Sequence, residues 1–338
     1  MGLGRGKLLL FGEHAAVYGH PAIGIATADT THVDVRPRSV ERPDGRMHSV
    51  THALPYDGET FSLVLSGVEK DHTEAFLEAV MQSLHAASLS AAYLRATYPT
   101  GMEIAVRSTI PTGSGFGSSA ALCAALATEF CGTAAATFDR LWAIANSVEA
   151  LFHGTPSGID TGLSLSTGLR AIYPAPPELP TMQTVETDSF ALLYGGVSRE
   201  GNTRALVAGV RAGMQSDDDR TRAAVTELGR IAREAITVCG TKSPAERLGV
   251  LCDEAQEQLR SLRLSTDLLE RRIERARDFG ARGGKLSGAG GGGAWFAVFD
   301  SVDSAREARL GLNRELPGSE KSLLRTVVVS GTQVRTIE

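Results

Sequence analysis

Between Ile110 and Leu126 the chain reads IPTGSGFGSSAALCAAL. Gly113, Gly115 and Gly117 clear side chains from a loop, and Ser118, Ser119 and Ala120 open an alanine-rich helix. Glycines let a ligand come close to the backbone, and the first amides of a helix lack intrahelical acceptors. That combination favours an anion such as a phosphate, and the hydroxyls at the helix start are suitable oxygen ligands for a metal-bound triphosphate. A P-loop would place a lysine directly before the hydroxyl, where this chain has Gly117. The dinucleotide fingerprint fails as well, because the third glycine and the downstream acidic residue are out of register. A flexible hinge ahead of a helix is the competing reading, and on the phosphate reading a cation has to come from elsewhere.

Three further segments hold candidate groups. GRGKLLLFGEHAAVYGHPAI, Gly4 to Ile23, carries Lys7 at the start of an apolar run and Glu13 with His14 after it. EALFHGTPSGIDTGLS, Glu149 to Ser164, has Gly154, Pro156 and Gly158 interrupting a helical pattern ahead of Asp160. On its own Asp160 reads equally well as a helix cap. GGKLSGAGGGGAWFAVF, Gly283 to Phe299, places seven glycines in eleven residues before an apolar strand, so that backbone can approach a ligand closely.

These groups need elements to hold them. Lys7–Phe11 is expected to be a strand, Ala22–Arg36 to be strands joined by a tight turn around Asp29 and Thr30, and Met102, Ile104 and Val106 to lie on a third strand leading into the glycine loop. Apolar residues at helical spacing follow Thr73, which is expected to cap its helix, and follow Thr137, with Glu149 near the end of the second. PAPPELP, Pro174 to Pro180, is expected to be a linker or crossover and the site of a domain boundary. Beyond it, helical patterns over 203–214, 220–237, 243–261, 266–280 and 303–313, with strands at 294–299 and 325–336, predict helices layered on a sheet.

Composition narrows the class. The 338 residues suffice for one large or two ordinary domains, and 42% hydrophobic with 22% charged residues is a globular composition. Lys and Arg number 34 against 39 Asp and Glu, a net charge of −5 with no dense basic run, which argues against a nucleic-acid partner. Cys123, Cys131, Cys239 and Cys252 lack the spacing of a zinc site or a disulfide framework. Leu8–Phe11 is too short for a signal-peptide core, no stretch approaches a membrane span, and Gly6 stands where myristoylation needs a hydroxyl. A cytoplasmic protein with no membrane partner is expected.

In this order and at these separations, the segments resemble the motifs of the GHMP kinases: GKLLLFGEHAAVYGHPAI the first, PTGSGFGSSAAL the ATP loop, EALFHGTPSGID the catalytic turn and KLSGAGGGG the third. NTRALVAGVR, Asn202 to Arg211, resembles a further segment of the branch that phosphorylates mevalonate. The sugar-binding Asp and Tyr of the galactose branch are not found after Gly12-Glu13-His14. Phe116 stands where leucine is usual in the ATP loop and Ala294 where cysteine is common, both expected to be packing changes.

The resemblance implies a two-domain α+β fold: a ribosomal-protein-S5-like domain over residues 1–180 and a ferredoxin-like domain over 181–338. It implies ATP as co-substrate, with Ser108, Gly113, Ser114, Gly115, Phe116, Gly117, Ser118 and Ser119 at the nucleotide and Mg²⁺ held by Ser119 and Glu149. It further implies Asp160 as the base and Lys7 as the cation beside it. Glu13, His14 and Thr203 would line the pocket for mevalonate. Another small-alcohol kinase of the family, acting on a phosphorylated mevalonate or a sugar, and a non-catalytic ligand-binding regulator are the alternatives. A homodimer is a family-level expectation.

Overall fold

The computed structural model describes residues 1–39, 50–132, 136–199, 203–216 and 218–337. They fall into two compact units: Met1–Gly6, Asp29–Ile110 and Ser118–Leu165 form one, and Lys7–Ala28, Pro111–Gly117 and Ser166–Glu338 the other. Two strands, β1 (Gly2–Phe11) and β2 (Ala22–Pro37), contribute to both.

The first unit adds β3 (Val50–Tyr56), β4 (Glu59–Ser66), α1 (Thr73–Ala86), α2 (Ala91–Thr97), β5 (Met102–Ser108), α3 (Ser118–Cys131), α4 (Phe138–His153) and α5 (Ile159–Leu165). Its strands run in the order β3-β4-β5-β2, with β4 and β5 parallel and the other pairs antiparallel. Alternate residues such as Val33, Leu63 and Ile104 bury against Val80, Leu84, Leu126 and Val148 of the helices, as the period of two and the 3.6-residue stripe require. The alanines of α3 allow a close approach: a Cβ on Gly4 of β1 would stand 1.9 Å from the Ala121 carbonyl oxygen. The expected cap at Thr73 is not made. His72 occupies the cap position, and the Thr73 hydroxyl instead donates to the Glu69 carbonyl. Thr137 does cap α4, accepting from the Arg140 amide at 3.3 Å.

The second unit contains β6 (Leu169–Ala175), β7 (Glu178–Thr184), β8 (Phe190–Val197), α6 (Thr203–Gln215), α7 (Asp219–Cys239), α8 (Ala245–Ser261), α9 (Asp267–Asp278), β9 (Gly283–Leu286), β10 (Gly293–Phe299), α10 (Val302–Glu315), α11 (Gly318–Lys321), β11 (Arg325–Ser330) and β12 (Gln333–Ile337). Its five-stranded antiparallel sheet has the order β12-β11-β8-β10-β9. Without β12 this is the βαββαβ arrangement of a ferredoxin-like layer, strand four beside strand one. Both β8 and β10 are buried along their whole length.

Two further expectations differ from the structure. The polar Asp29 and Thr30 mark no turn, because β2 is one sixteen-residue strand that changes partner there. Residues Ala22–Ile25 pair with β6 and Thr31–Pro37 with β5, so the polar step falls between two ladders. PAPPELP is no linker either. Pro176 and Pro177 sit at the turn of the β6–β7 hairpin, and the register shifts between Tyr173 and Ala175, around Pro174. Proline, lacking an amide proton, is tolerated at such bulges and on an edge strand like β7. No helix among the described residues is long and apolar enough to cross a membrane.

Candidate active site

A lysine of β1 packs against the glycine loop. Lys7 is 5% exposed, its amide donates to the Phe116 carbonyl at 2.9 Å, and Gly117 lies on its side-chain stem. A Cβ at Gly117 would come within 2.7 Å of Lys7 Cγ, and φ there is +76°, so glycine is needed for the space and for the backbone. Within this unit the loop Pro111–Gly117 and the strand bearing Lys7 are one assembly.

In the other unit, α3 and α4 bring Ser119 and Glu149 together. Ser119 Oγ donates to Glu149 Oε1 at 2.9 Å, and Cys123 Sγ donates to Oε2 at 3.1 Å. His153, one turn beyond Glu149, places Nε2 at 3.2 Å from both Ser119 Oγ and Glu149 Oε1. Burial pushes the Glu149 carboxyl above its ordinary value; the Cys123 hydrogen bond and His153 oppose this, and the neighbouring Asp160 charge adds to it. Burial, with the Glu149 charge, lifts the Cys123 thiol well above its usual range, so it acts as a donor and not a nucleophile. Asp160 lies in the first turn of α5. The turn before it is fixed by Trp142 Nε1, which donates to the Gly158 carbonyl at 2.8 Å, and by the Thr161 hydroxyl on the same oxygen at 3.1 Å.

Glu13 and His14 lie in the turn after β1, against the third glycine-rich segment, within the second unit. Glu13 Oε1 accepts from Lys285 Nζ at 2.5 Å, an ion pair whose side chains are 0% and 1% exposed. Burial raises the Glu13 carboxyl and Lys285 draws it back down. His14 donates from Nε2 to the Ala289 carbonyl at 3.2 Å, and burial pushes its pKa down to about 4, so the ring is neutral at pH 7. Sequence reasoning quoted Lys285 within its motif but gave it no role. The signal was a lysine between two glycines and an apolar strand, where a solvated lysine is out of place.

The remaining candidates are placed as follows. Ser108 Oγ binds Thr31 Oγ1 at 2.9 Å and accepts from the Ile110 amide at 3.1 Å, closing the end of β5. Ser114 Oγ donates to the Pro111 carbonyl at 2.6 Å. The Phe116 ring is buried edge-on against Tyr194, 5.3 Å between centroids, so only its backbone is offered to a ligand. Gly113 and Ser114 line a cleft of about 420 Å³ with Gly196–Arg199 and Ser319, Glu320 and Leu323. Gly115 lies beside Ala294 and Arg199. Ser118 is the first residue of α3 and Thr203 the first of α6. Asn202 and the Thr203 side chain lie outside the described residues.

The donors fit Mg²⁺. A hydroxyl and a carboxylate 2.9 Å apart are hard oxygen ligands, and Mg²⁺ commonly takes one or two protein oxygens and leaves the rest to water and phosphate. Among the described residues no group of three or more His, Cys, Asp or Glu could form a closed cage. The same burial has a measurable consequence. A carboxyl whose pKa is raised on folding stabilises the fold fully below its unfolded value, 4.5, and loses that contribution as pH rises through the folded value. Glu149→Gln is therefore expected to stabilise the metal-free protein at pH 7, with the difference closing toward pH 4.5. Thermal melting in chelator across that range measures it. A variant no more stable than the parent at pH 7 would mean that the Ser119 and Cys123 hydrogen bonds fully offset the burial of the charge.

The GHMP kinases N terminal domain model matches residues 80–168 and the GHMP kinases C terminal model residues 234–318, and the chain belongs to the GHMP kinase family. Within the family it is similar to mevalonate kinases: 31% identical to that of Pyrococcus abyssi over 304 residues, 86% of each chain, and 28% identical to that of Aeropyrum pernix over 97% of this chain and 96% of that one. Its fold matches L. major mevalonate kinase, solved in complex with R-mevalonate, at a TM-score of 0.73 and 22% identity over 98% of this chain and 96% of that chain. Streptococcus pneumoniae phosphomevalonate kinase, in complex with phosphomevalonate and AMPPNP, shares the fold at 0.68 and 14% identity over 99% of each.

Proposed function

We infer that the chain catalyses ATP-dependent phosphorylation of mevalonate on its primary hydroxyl, giving 5-phosphomevalonate, and we assign the roles of its site residues. The observation that carries these assignments is the packing of Gly117 on the Lys7 stem, which gives the loop the cation its own sequence lacks. The curated relatives, mevalonate kinases over most of their length, support the acceptor.

In this reading the amides of Gly113–Ser119 bind the ATP phosphates. Mg²⁺, held by Ser119 and Glu149, supplies charge neutralisation to those phosphates when bound. Asp160 takes the proton of the primary hydroxyl, and Lys7 stabilises charge on the transferring γ-phosphoryl. Phosphoryl transfer asks the protein mainly for positioning and charge stabilisation, so this small set is sufficient. Ser108 serves the nucleotide through the turn it closes, and His14, Glu13 and Thr203 serve the acceptor. We keep residues 1–180 and 181–338 as the proposed domains, since the two family matches fall one on each side. A cytoplasmic location and a homodimer, implied by the family resemblance, belong to the same reading.

The test is a coupled assay for ADP with ATP, Mg²⁺ and a panel of acceptors. Turnover is expected with mevalonate and not with phosphomevalonate, galactose or homoserine. Failure of mevalonate alongside success of another alcohol would reassign the acceptor. Folded protein that binds ATP but turns over none would be a regulator.

A further inference from the structure

We propose that Lys285 is a positioning residue for the acceptor alcohol, acting through Glu13: their ion pair holds the carboxylate so that Oε2 receives the hydrogen of mevalonate's tertiary hydroxyl. This rests on the mevalonate reading above.

The geometry of the pair is heavily constrained. Lys285 Nζ donates to Glu13 Oε1 at 2.5 Å and to the Leu286 carbonyl at 2.6 Å, between the rings of Phe11 and Phe296 at 5.6 and 5.3 Å from their centroids. Side chains of α8 pin the backbone on either side: Gln256 Oε1 accepts from the Leu286 amide at 2.9 Å, and Asp253 Oδ1 from the Gly284 amide at 3.1 Å. The ammonium therefore cannot follow a partner that moves, and the carboxylate stays where the ammonium is.

Only one carboxylate oxygen is committed to the pair. Oε2 is buried and accepts no hydrogen bond from any described residue. A buried ion pair is weak support for stability, and an empty acceptor on it adds cost. A ligand donor accounts for such an arrangement better than a purely structural role. The amides of Glu13 itself and of Gly288 lie beside the carboxylate and draw its pKa down, and the Cβ position of Gly288 faces open space.

The chemistry of the acceptor selects the donor. An ionised carboxylate only accepts, and mevalonate has two O–H groups to offer. Its primary hydroxyl gives its proton up in the reaction, and its own carboxylate is repelled by Glu13. The tertiary hydroxyl remains.

The experiment compares mevalonate with the analogue lacking the tertiary hydroxyl, using ATP and Mg²⁺, and separates kcat from KM. Wild type is expected to prefer mevalonate by about a hundredfold in kcat/KM, the scale of a hydrogen bond to a charged group. In Glu13→Gln/Lys285→Met, which leaves neither charge buried alone, that preference should fall at least about tenfold through KM for mevalonate, with KM for ATP within about twofold. An undiminished preference in the folded double variant overturns the proposal, leaving the pair a core contact. If the double variant does not fold, Glu13→Gln alone is measured against the same two outcomes. Wild-type protein that fails to phosphorylate mevalonate at all sinks the mevalonate reading and this proposal with it. Turnover with preference unchanged on mutation sinks this proposal only.

Discussion

Replacing Asp160 by Asn is expected to lower kcat for mevalonate phosphorylation about a thousandfold while leaving KM for ATP within about twofold. A primary alcohol is a poor nucleophile until its proton has somewhere to go, and Asn keeps the shape of Asp160 without the basicity. The variant should fold, because Trp142 and Thr161 hold the turn leading to residue 160 through the Gly158 carbonyl and Asn has nearly the shape of Asp; circular dichroism checks it. Metal binding should also survive. The Asp160 charge pushes the Glu149 carboxyl upward, so its removal leaves Glu149 more readily ionised. Single-turnover kinetics separate the chemical step from nucleotide binding. Turnover within about tenfold of wild type, ~1.4 kcal/mol of barrier, would exclude Asp160 as the base.

Lys7→Met is the second large effect, an expected loss of about a hundredfold in kcat. Methionine fills the space of the lysine stem beneath Gly117, so the phosphate loop keeps its support and only the charge is lost. Gly117→Ala approaches the same defect from the other side: the new Cβ meets Lys7 Cγ at 2.7 Å and requires φ of +76°. It should displace the ammonium with the charge still present, and lower kcat while weakening ATP as well. Steady-state kinetics of both variants, with circular dichroism to establish folding, test the pair. A Lys7→Met enzyme within about threefold of wild type would show that the phosphates draw their cation from elsewhere.

The element types were largely legible because they follow from local rules. The helical stripes after Thr137 and from residue 243 onward, and the alternation at Met102, Ile104 and Val106, each report one buried face, and the structure forms those elements. The failures have a common cause. Asp29-Thr30 and PAPPELP carry the composition of turns and linkers, yet the first lies within a strand that changes partners and the second closes a hairpin whose irregular register absorbs its prolines. Which strand lies alongside another is a long-range fact that residue type does not encode.

The site divides along the same line. The sequence by itself determined the glycine loop, the hydroxyls at the start of α3, the turn before Asp160 and the order of the motifs, because each is a run of neighbouring residues with its own backbone demands. Only the tertiary structure decided that the stem of Lys7, more than a hundred positions earlier, packs against Gly117 of the loop, and that Cys123 and His153 surround the Ser119–Glu149 pair. It alone decided that Glu13 is held by Lys285, 272 residues away in the chain. Charges that are solvated when considered singly become specific partners once packing excludes water from them, and that exclusion exists only in the folded chain.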